Sequence, residues 1–321
     1  MIDLATRAAA LWGVTEAPHL VSHRENAVFA VTLPDGRRAA LRLHREGYRT
    51  ADEIRSELIW AGALAQAGLN VPQPVPARDG ALLRRVPGGP LASVTGWIDG
   101  APVGDGDTPL GGDLAARQTF HVELGALLAR LHDLSDRLDL GAEFTRPPWD
   151  RAALCGPDPA WGRCWEMPGL SEDQCEMLMI ARAEAERCLS AHEARADIGL
   201  IHADALRENV FRTGDGLTLI DFDDSGVGFR LYDLACALAQ SLDDPDLPAY
   251  AAALVSGYRS VRPLTAEAAE LLPVFSMLRA FASAGWVVPR YPPGDPKWAL
   301  YRDRALKAAR AFLDGPPLYT V

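Results

Sequence analysis

Lysine is nearly missing from this sequence. Of 32 basic residues only Lys297 and Lys307 are lysines. The skew is compositional, yet any task that needs a cation falls to arginine, whose planar guanidinium binds differently from an ammonium. Long apolar runs are missing too. None approaches the ~20 residues of a membrane-spanning helix, so a transmembrane protein of that type is not expected. The first residues, MIDLATRAAALWGV, carry an acid and lack an extended apolar core, which is unlike a secretion signal. No CxxC pair occurs among Cys155, Cys164, Cys175, Cys188 and Cys236. Four of them lie within 34 positions, close to His192, so a metal site stands as the alternative to free thiols in a reducing compartment. The thiol reading is the simpler one, and it points to a cytoplasmic protein.

The common nucleotide and nucleophile signatures are likewise lacking. There is no GxxxxGK[ST], no GxGxxG between a strand and a helix, and no GxSxG elbow, which removes support for P-loop, dinucleotide-binding and elbow-type hydrolase folds. A net charge of -11 argues against a nucleic-acid or anionic-membrane partner, although a local basic cleft could still hold phosphates.

What is present is an ordinary globular composition, 48% hydrophobic and 23% charged over 321 residues, enough for one large or two modest domains. A short helix is expected over 3–12. His19 to Leu33 reads as two strands around the polar turn Ser22-His23-Arg24-Glu25-Asn26, and Arg38 to His44 as a third after Pro34-Asp35-Gly36. Ile54, Leu58, Ala61 and Leu64 recur at helical spacing within 50–67, with Gly68 as a stop. Pro72, Pro74 and Pro76 argue against regular structure there. Ala81 to Val86 and Ala92 to Thr95 make five strands in all. Gly96 to Gly112 is a connector, and helices are expected over 113–134, 171–194, 231–242, 246–260, 265–285 and 297–313. Residues 141–170 read as irregular.

The stretch with chemical content is LIHADALRENVFRTGDGLTLIDFDDSGVGFRLYDLA, from Leu200 to Ala235. Thr213-Gly214-Asp215-Gly216 is a strong turn signal. If those four residues form a hairpin loop, Arg212 pairs with Leu217 and Asn209 lies opposite Ile220. Asn209 and Asp221 are then neighbours, with Asp204 just upstream. Two carboxylates and an amide make an all-oxygen set of the kind magnesium favours when phosphates complete its shell. Taken singly, Asp204 could be a turn cap and Asp221 an exposed strand end.

His202-x-Asp204-x4-Asn209 followed by Asp221-Phe222 resembles the catalytic loop and the DFG-type segment of the protein-kinase fold. The fuller pattern is most similar to the aminoglycoside phosphotransferase family of small-molecule kinases, in particular type II homoserine kinases and stress-response kinase A-like members. The likeness runs from about Leu20 to Trp286. It implies an α+β, bilobal, protein-kinase-like fold. A small five-stranded antiparallel lobe with one main helix (1–96) would bind the nucleotide, and a larger, mostly helical lobe (97–321) would hold the catalytic loop and acceptor.

The resemblance assigns roles residue by residue. Asp204 is the catalytic carboxylate that orients the acceptor hydroxyl and takes its proton. Asn209 and Asp221 hold magnesium, and ATP is the donor. Asp233, in LYDLA, braces the catalytic loop; Asp223 and Asp224 have no certain role. Arg42 stands where kinases carry the strand-three lysine, a departure that puts nucleotide choice in doubt. Its helix partner is Glu57, with Glu53 as fallback. The Ser22–Asn26 turn replaces the glycine-rich phosphate loop with side-chain donors such as Ser22 and Asn26. Main-chain groups of Gly96 and Ile98 would meet adenine at the hinge.

The acceptor is a small hydroxylated molecule. Trp149, Asp150, Trp161, Trp165 and Glu166 are candidates by position, and aromatic faces with acids would suit a cationic amine. Two alternatives stay open: a stress-response-type serine/threonine protein kinase, and a nucleotide-binding pseudokinase scaffold. The short run from Asp221 to Tyr232 leaves little room for a regulated activation segment. Arg42 and the glycine-free turn are what motivate the scaffold.

Overall fold

A short helix followed by short strands opens the chain. The computed structural model describes residues 1–23, 25–106 and 108–321. Arg24 of the Ser22–Asn26 turn and Asp107 of the connector therefore lie outside the described residues. Helix α1 (Ile2–Leu11) precedes β1 (His19–His23), β2 (Ala27–Thr32), β3 (Arg38–Leu43), α2 (Ala51–Gln66), β4 (Pro74–Val75), β5 (Leu83–Arg85), β6 (Leu91–Gly96) and β7 (Gly100–Pro102). Next come α3 (Leu114–Ser135), β8 (Pro148–Trp149), α4 (Arg151–Cys155), α5 (Glu172–His192), β9 (Ile198–Ile201), β10 (Val210–Thr213), β11 (Gly216–Leu219) and β12 (Gly226–Phe229). The chain closes with α6 (Arg230–Leu238), α7 (Leu247–Arg259), α8 (Ala266–Ala269), α9 (Leu272–Val287) and α10 (Pro296–Leu313). Two compact units result. One contains Met1–Ala101, Arg137–Arg146 and Phe211–Asp223; the other contains Pro102–Asp136, Pro147–Val210 and Asp224–Val321.

The first unit is built on an antiparallel sheet in the order β1-β2-β3-β6-β4, with β5 also paired to β6. Ala27, Phe29 and Val31 alternate with Ala39, Leu41 and Leu43 to bury one face, which packs on Ala5, Ala8 and Ala9 of α1. Arg42 has the opposite parity and stands on the other face. The sheet has one strand more than expected: Pro74–Val75 pairs with Thr95 and Val94 of β6. An edge position accepts proline, because the missing N–H would point away from the ladder. Helix α2 starts on a capping box in which Thr50 accepts from the Glu53 N–H and the Glu53 carboxylate accepts from the Thr50 N–H. Glu53 is thereby spent on the helix start, while Glu57 joins Ile54, Leu58, Ala61 and Leu64 on the buried face.

His44, at the end of β3, is buried and shares a 2.8 Å hydrogen bond with Ser93 Oγ. Burial, helped by the nearby charge of Arg42, pushes its pKa down to about 3. The folded protein thus holds it neutral where the unfolded chain, titrating at 6.5, takes up a proton. The stability this confers is complete above pH 6.5 and is lost as pH falls toward 3. His44→Gln should remove that loss. Urea unfolding at pH 7 and pH 4 should show the variant gaining up to about 3 kcal/mol on the wild type across the interval, at ~1.4 kcal/mol per pH unit. Parallel losses for the two proteins would count against it.

The turn after β10 is tighter than a four-residue loop. Thr213 and Gly216 belong to the strands, the Thr213 hydroxyl donates to the Gly216 carbonyl at 3.1 Å, and Gly216 takes φ +113°. Only Gly214 and Asp215 are left outside the strands, and the second strand starts one residue earlier than expected.

The second unit is mostly helical. Helices α3 and α7 cross so closely that a Cβ on Gly125 would overlap the Leu254 carbonyl, and one on Gly257 the Val122 carbonyl. The expected 265–285 helix is two: Thr265 caps α8, and Pro273 lies in the first turn of α9, where its missing N–H costs nothing. Residues 141–170 hold more structure than their composition suggests, namely β8, α4 and a 3₁₀ turn at Cys164–Glu166. Strand β12 pairs antiparallel with β9 and parallel with β8. All five cysteines are free thiols. No helix among the described residues is long and apolar enough to cross a membrane.

Candidate active site

In the second unit, β9 delivers the chain to His202, Ala203 and Asp204. The loop is pinned from behind by Asp233 in the first turn of α6. One Asp233 oxygen accepts from the His202 N–H (2.9 Å) and from His132 Nε2 (2.9 Å), and the other from the Ala203 N–H (2.6 Å). Burial works to raise the Asp233 pKa, but the hydrogen bonds from His132 and from the His202 N–H help to hold it below the usual range. His132 is held neutral by its own burial, and its Nδ1 meets the Tyr258 hydroxyl at 2.9 Å. This grip has something to hold. Ala203 has φ +65°, a conformation that costs a residue with a Cβ about 1–2 kcal/mol. Asp233→Asn removes the charge and one acceptor, so we expect a loss of about 2–3 kcal/mol in urea unfolding. An unchanged midpoint would contradict this.

Past Ala203, the 3₁₀ turn Arg207–Asn209 brings Asn209 back onto Asp204. Asn209 Nδ2 donates to the Asp204 carbonyl (3.0 Å) and to its Oδ2 (2.8 Å). With the amide nitrogen committed, its oxygen is the atom left for a cation. The other carboxylate oxygen, Oδ1, accepts from Arg279 Nη2 at 2.8 Å. Arg207 anchors the turn: its guanidinium donates to the Thr108 carbonyl and Ser241 Oγ, both at 2.8 Å.

In the first unit, Arg42 donates to Glu57 Oε1 (3.3 Å) and to Asp221 Oδ1 (2.7 Å). Asp221 is the other non-glycine residue at positive φ among the described residues, at +64°. Phe222 is buried, with its ring edge-on to Trp60 of α2 at 5.3 Å. Arg146 lies beneath, donating to the carbonyls of Glu53, Phe222 and Asp223 and reaching 4.0 Å from Glu57. Asn26 Nδ2 donates to Asp223 Oδ2 at 3.1 Å, and its Oδ1 accepts from the Arg45 N–H at 2.9 Å.

Three carboxylates (Glu57, Asp221 and Asp223) thus gather round two guanidinium groups. Burial pushes the Glu57 carboxyl up to about 7, with Asp223 and Asp221 adding to the push against the pull of Arg42 and Arg146. The surplus negative charge, with Asp221 still 41% exposed, suits a hard divalent cation bound through oxygen.

Other expected site residues are placed less tellingly. Ser22 lies exposed on β1. The Gly96 N–H is donated to the Gln73 carbonyl at 2.8 Å, and Ile98 is half-buried. The Asp224 carbonyl accepts from Trp149 Nε1 at 2.7 Å. Trp149 is a packing residue, buried and stacked on Tyr232 at 5.2 Å. Asp150 caps α4 through the Ala153 N–H, and Glu166 pairs with Arg163 on the surface. Trp165 lies under the Arg182 guanidinium at 5.5 Å. Trp161 lies 4.6 Å under the guanidinium of Arg279, the group that donates to Asp204. Sequence reasoning missed both Arg146 and Arg279. Arg146 has no local signal. Arg279 does have one, as the single charged residue of the otherwise apolar α9.

Known proteins share this sequence pattern and this fold. Residues 18–271 match the model of the phosphotransferase enzyme family. The homoserine kinase of Gluconobacter oxydans (strain 621H) is 36% identical over 217 residues, 65% of this chain and 62% of that enzyme. The match thus spans less than two thirds of that relative's length. The structure of a microcompartment-associated aminopropanol kinase superposes with a TM-score of 0.83 at 29% identity, covering 99% of this chain and 100% of the other. An amicoumacin kinase solved with AMP-PNP and Ca²⁺ has a TM-score of 0.76 at 20% identity, with 99% and 94% covered, a likeness of fold alone. By its sequence and its fold the chain belongs to the phosphotransferase enzyme family.

Proposed function

We propose that the chain is a cytoplasmic, ATP- and magnesium-dependent phosphotransferase that phosphorylates the hydroxyl of a small molecule. The observation that carries this reading is Asp204 itself. It is a carboxylate only 19% exposed, both of whose oxygens are held, on a loop kept in a strained conformation by a fully buried acid. Such a carboxylate can accept the hydrogen bond of an acceptor alcohol, orient its oxygen and take the proton as the new P–O bond forms. Asn209 and Asp221 would hold magnesium, which supplies charge neutralisation at the phosphates when bound. Arg42, kept in place by Glu57, would offer its guanidinium to a phosphate. Residues 1–96 would supply Arg42 and Glu57, and 97–321 the catalytic loop.

Homoserine and aminopropanol, which two similar proteins take by name, are both short molecules that carry an amino group and a hydroxyl, and an acceptor of that size is our first choice. Release of ADP should be measured with each, with and without Mg²⁺. Turnover that needs both acceptor and metal is expected. No turnover with either, together with phosphate transfer from labelled ATP to a protein in an extract, would favour the protein-kinase reading instead.

A further inference from the structure

Arg279 is an expensive residue for a protein to keep. Its side chain is 4% exposed in the middle of apolar α9, and neither Nε nor Nη1 has a hydrogen-bond partner. Its charge is answered by the Asp204 carboxylate at 2.8 Å and by the face of Trp161 at 4.6 Å. A buried guanidinium with unmet donors adds little to stability, and a whole buried ion pair can often be replaced by apolar residues of similar volume at no cost. The surroundings are nevertheless shaped to hold it. Gly285, on the same helix, leaves room for the loop that carries Trp161, since a Cβ there would overlap the carbonyls of Trp161 and Gly162. Arg279 is thus clamped between an indole and the carboxylate.

We propose that Arg279 is the positioning residue for Asp204, holding Oδ1 from α9 while Asn209 holds Oδ2 from the catalytic loop. The two contacts immobilise the carboxylate plane and set the direction in which it meets the acceptor hydroxyl. Each carboxylate oxygen has two lone pairs, so accepting from Arg279 or Asn209 is compatible with accepting the O–H of an alcohol as well. Arg279 itself does not need to touch the substrate; its effect runs through Asp204. The inference rests on the reading of Asp204 given above.

The test is a double-mutant cycle on the intact chain with Arg279→Met, Arg279→Lys, Asp204→Asn and the pair Asp204→Asn/Arg279→Met. Readouts are ADP release with homoserine or aminopropanol, the slow hydrolysis of ATP by water, and thermal unfolding. Arg279→Met should lower kcat by ~10²-fold with KM for ATP within ~3-fold of wild type, the signature of an interaction that acts in the transition state. Its Tm should fall only modestly, because Asp204 is 19% exposed and water can take the place left by the guanidinium, so that the loss of rate exceeds any loss of fold. Lys restores the charge without the planar fork, and should recover kcat to within ~10-fold of wild type. The double variant should be no slower than Asp204→Asn alone, because groups acting as one unit are not additive.

A wild-type kcat for Arg279→Met would overturn the proposal. So would fully additive losses, or a Lys variant no better than Met. If instead Asp204→Asn keeps full activity, the underlying reading of Asp204 fails, and the positioning role fails with it.

Discussion

Asp204→Asn is expected to abolish useful turnover, lowering kcat by ~10³-fold, within the range that a positioned proton acceptor contributes. The amide keeps the size and one acceptor oxygen of the carboxylate but cannot take the acceptor's proton. It also presents an NH₂ group to one of two donors, Arg279 Nη2 or Asn209 Nδ2, that now point at carboxylate oxygens. One of those bonds is lost, so a stability cost of about 2 kcal/mol accompanies the loss of rate. Asp233 still grips the loop backbone through the His202 and Ala203 N–H groups, and the fold should survive. Calorimetric titration with Mg-ATP should therefore give near wild-type affinity while steady-state turnover collapses. A variant that binds nucleotide and turns over normally would remove Asp204 from the mechanism.

Asp221→Asn should be nearly as damaging, by a different route. The substitution keeps the backbone content, since asparagine is among the few residues that accept φ near +64°. What it removes is one negative charge from the group formed with Glu57 and Asp223. Arg42 keeps Glu57 as a partner at 3.3 Å, and repulsion among the carboxylates falls, so the thermal midpoint should hold or rise. On the proposed reading, magnesium would lose a hard anionic ligand. We expect the Mg²⁺ concentration for half-maximal rate to rise at least ~10-fold and kcat/KM for ATP to fall ~10²–10³-fold. An unaltered magnesium titration would mean that Asp221 serves Arg42 alone.

The two variants should also be separable by where they fail. The first keeps nucleotide and metal and loses transfer. The second loses metal-dependent use of the nucleotide, and high magnesium should restore part of its rate. Finding the same defect in both would mean that the roles of Asp204 and Asp221 are not distinct.

Much of the candidate site was legible because it is written in consecutive chain. Asp204, Asn209, Asp221 and Asp233 fall within one 30-residue stretch, and turn chemistry at Gly214-Asp215 marks its middle. Arg42 was given its face by the period of two of a strand. Glu57 came from the family resemblance, with Glu53 on the same helical face as the fallback, and it was the Thr50 capping box of the folded chain that claimed Glu53 and left Glu57 on the buried side of α2. Short elements were another matter. Pro74–Val75 and Pro148–Trp149 are strands only because a neighbour offers them a ladder, and two residues carry no periodicity of their own.

The acceptor candidates were picked by their place in the sequence and by residue type, and the folded chain gives several of them structural partners. Asp150 and Glu166 looked like ligands for an amine, but one caps a helix and the other pairs with Arg163. Trp149 looked like a binding aromatic and is buried against Tyr232. Local rules cannot tell an acid that recognises a substrate from one that ends a helix. That difference lies in what stands opposite, and it is settled by contacts distant in sequence.

The division of labour is clearest at Asp204. That an aspartate there is followed by an asparagine, a hairpin and a second acid is linear information, and it sufficed to identify the family and the fold. That the carboxylate is clamped by an arginine 75 positions away, itself packed on Trp161, is not linear at all. Chain-local patterns specify backbone path and facing because they act through dihedral preference and periodicity. The pairing of two charges across a helical unit depends on packing α9 and the Trp161 loop together, and only the folded structure supplies that.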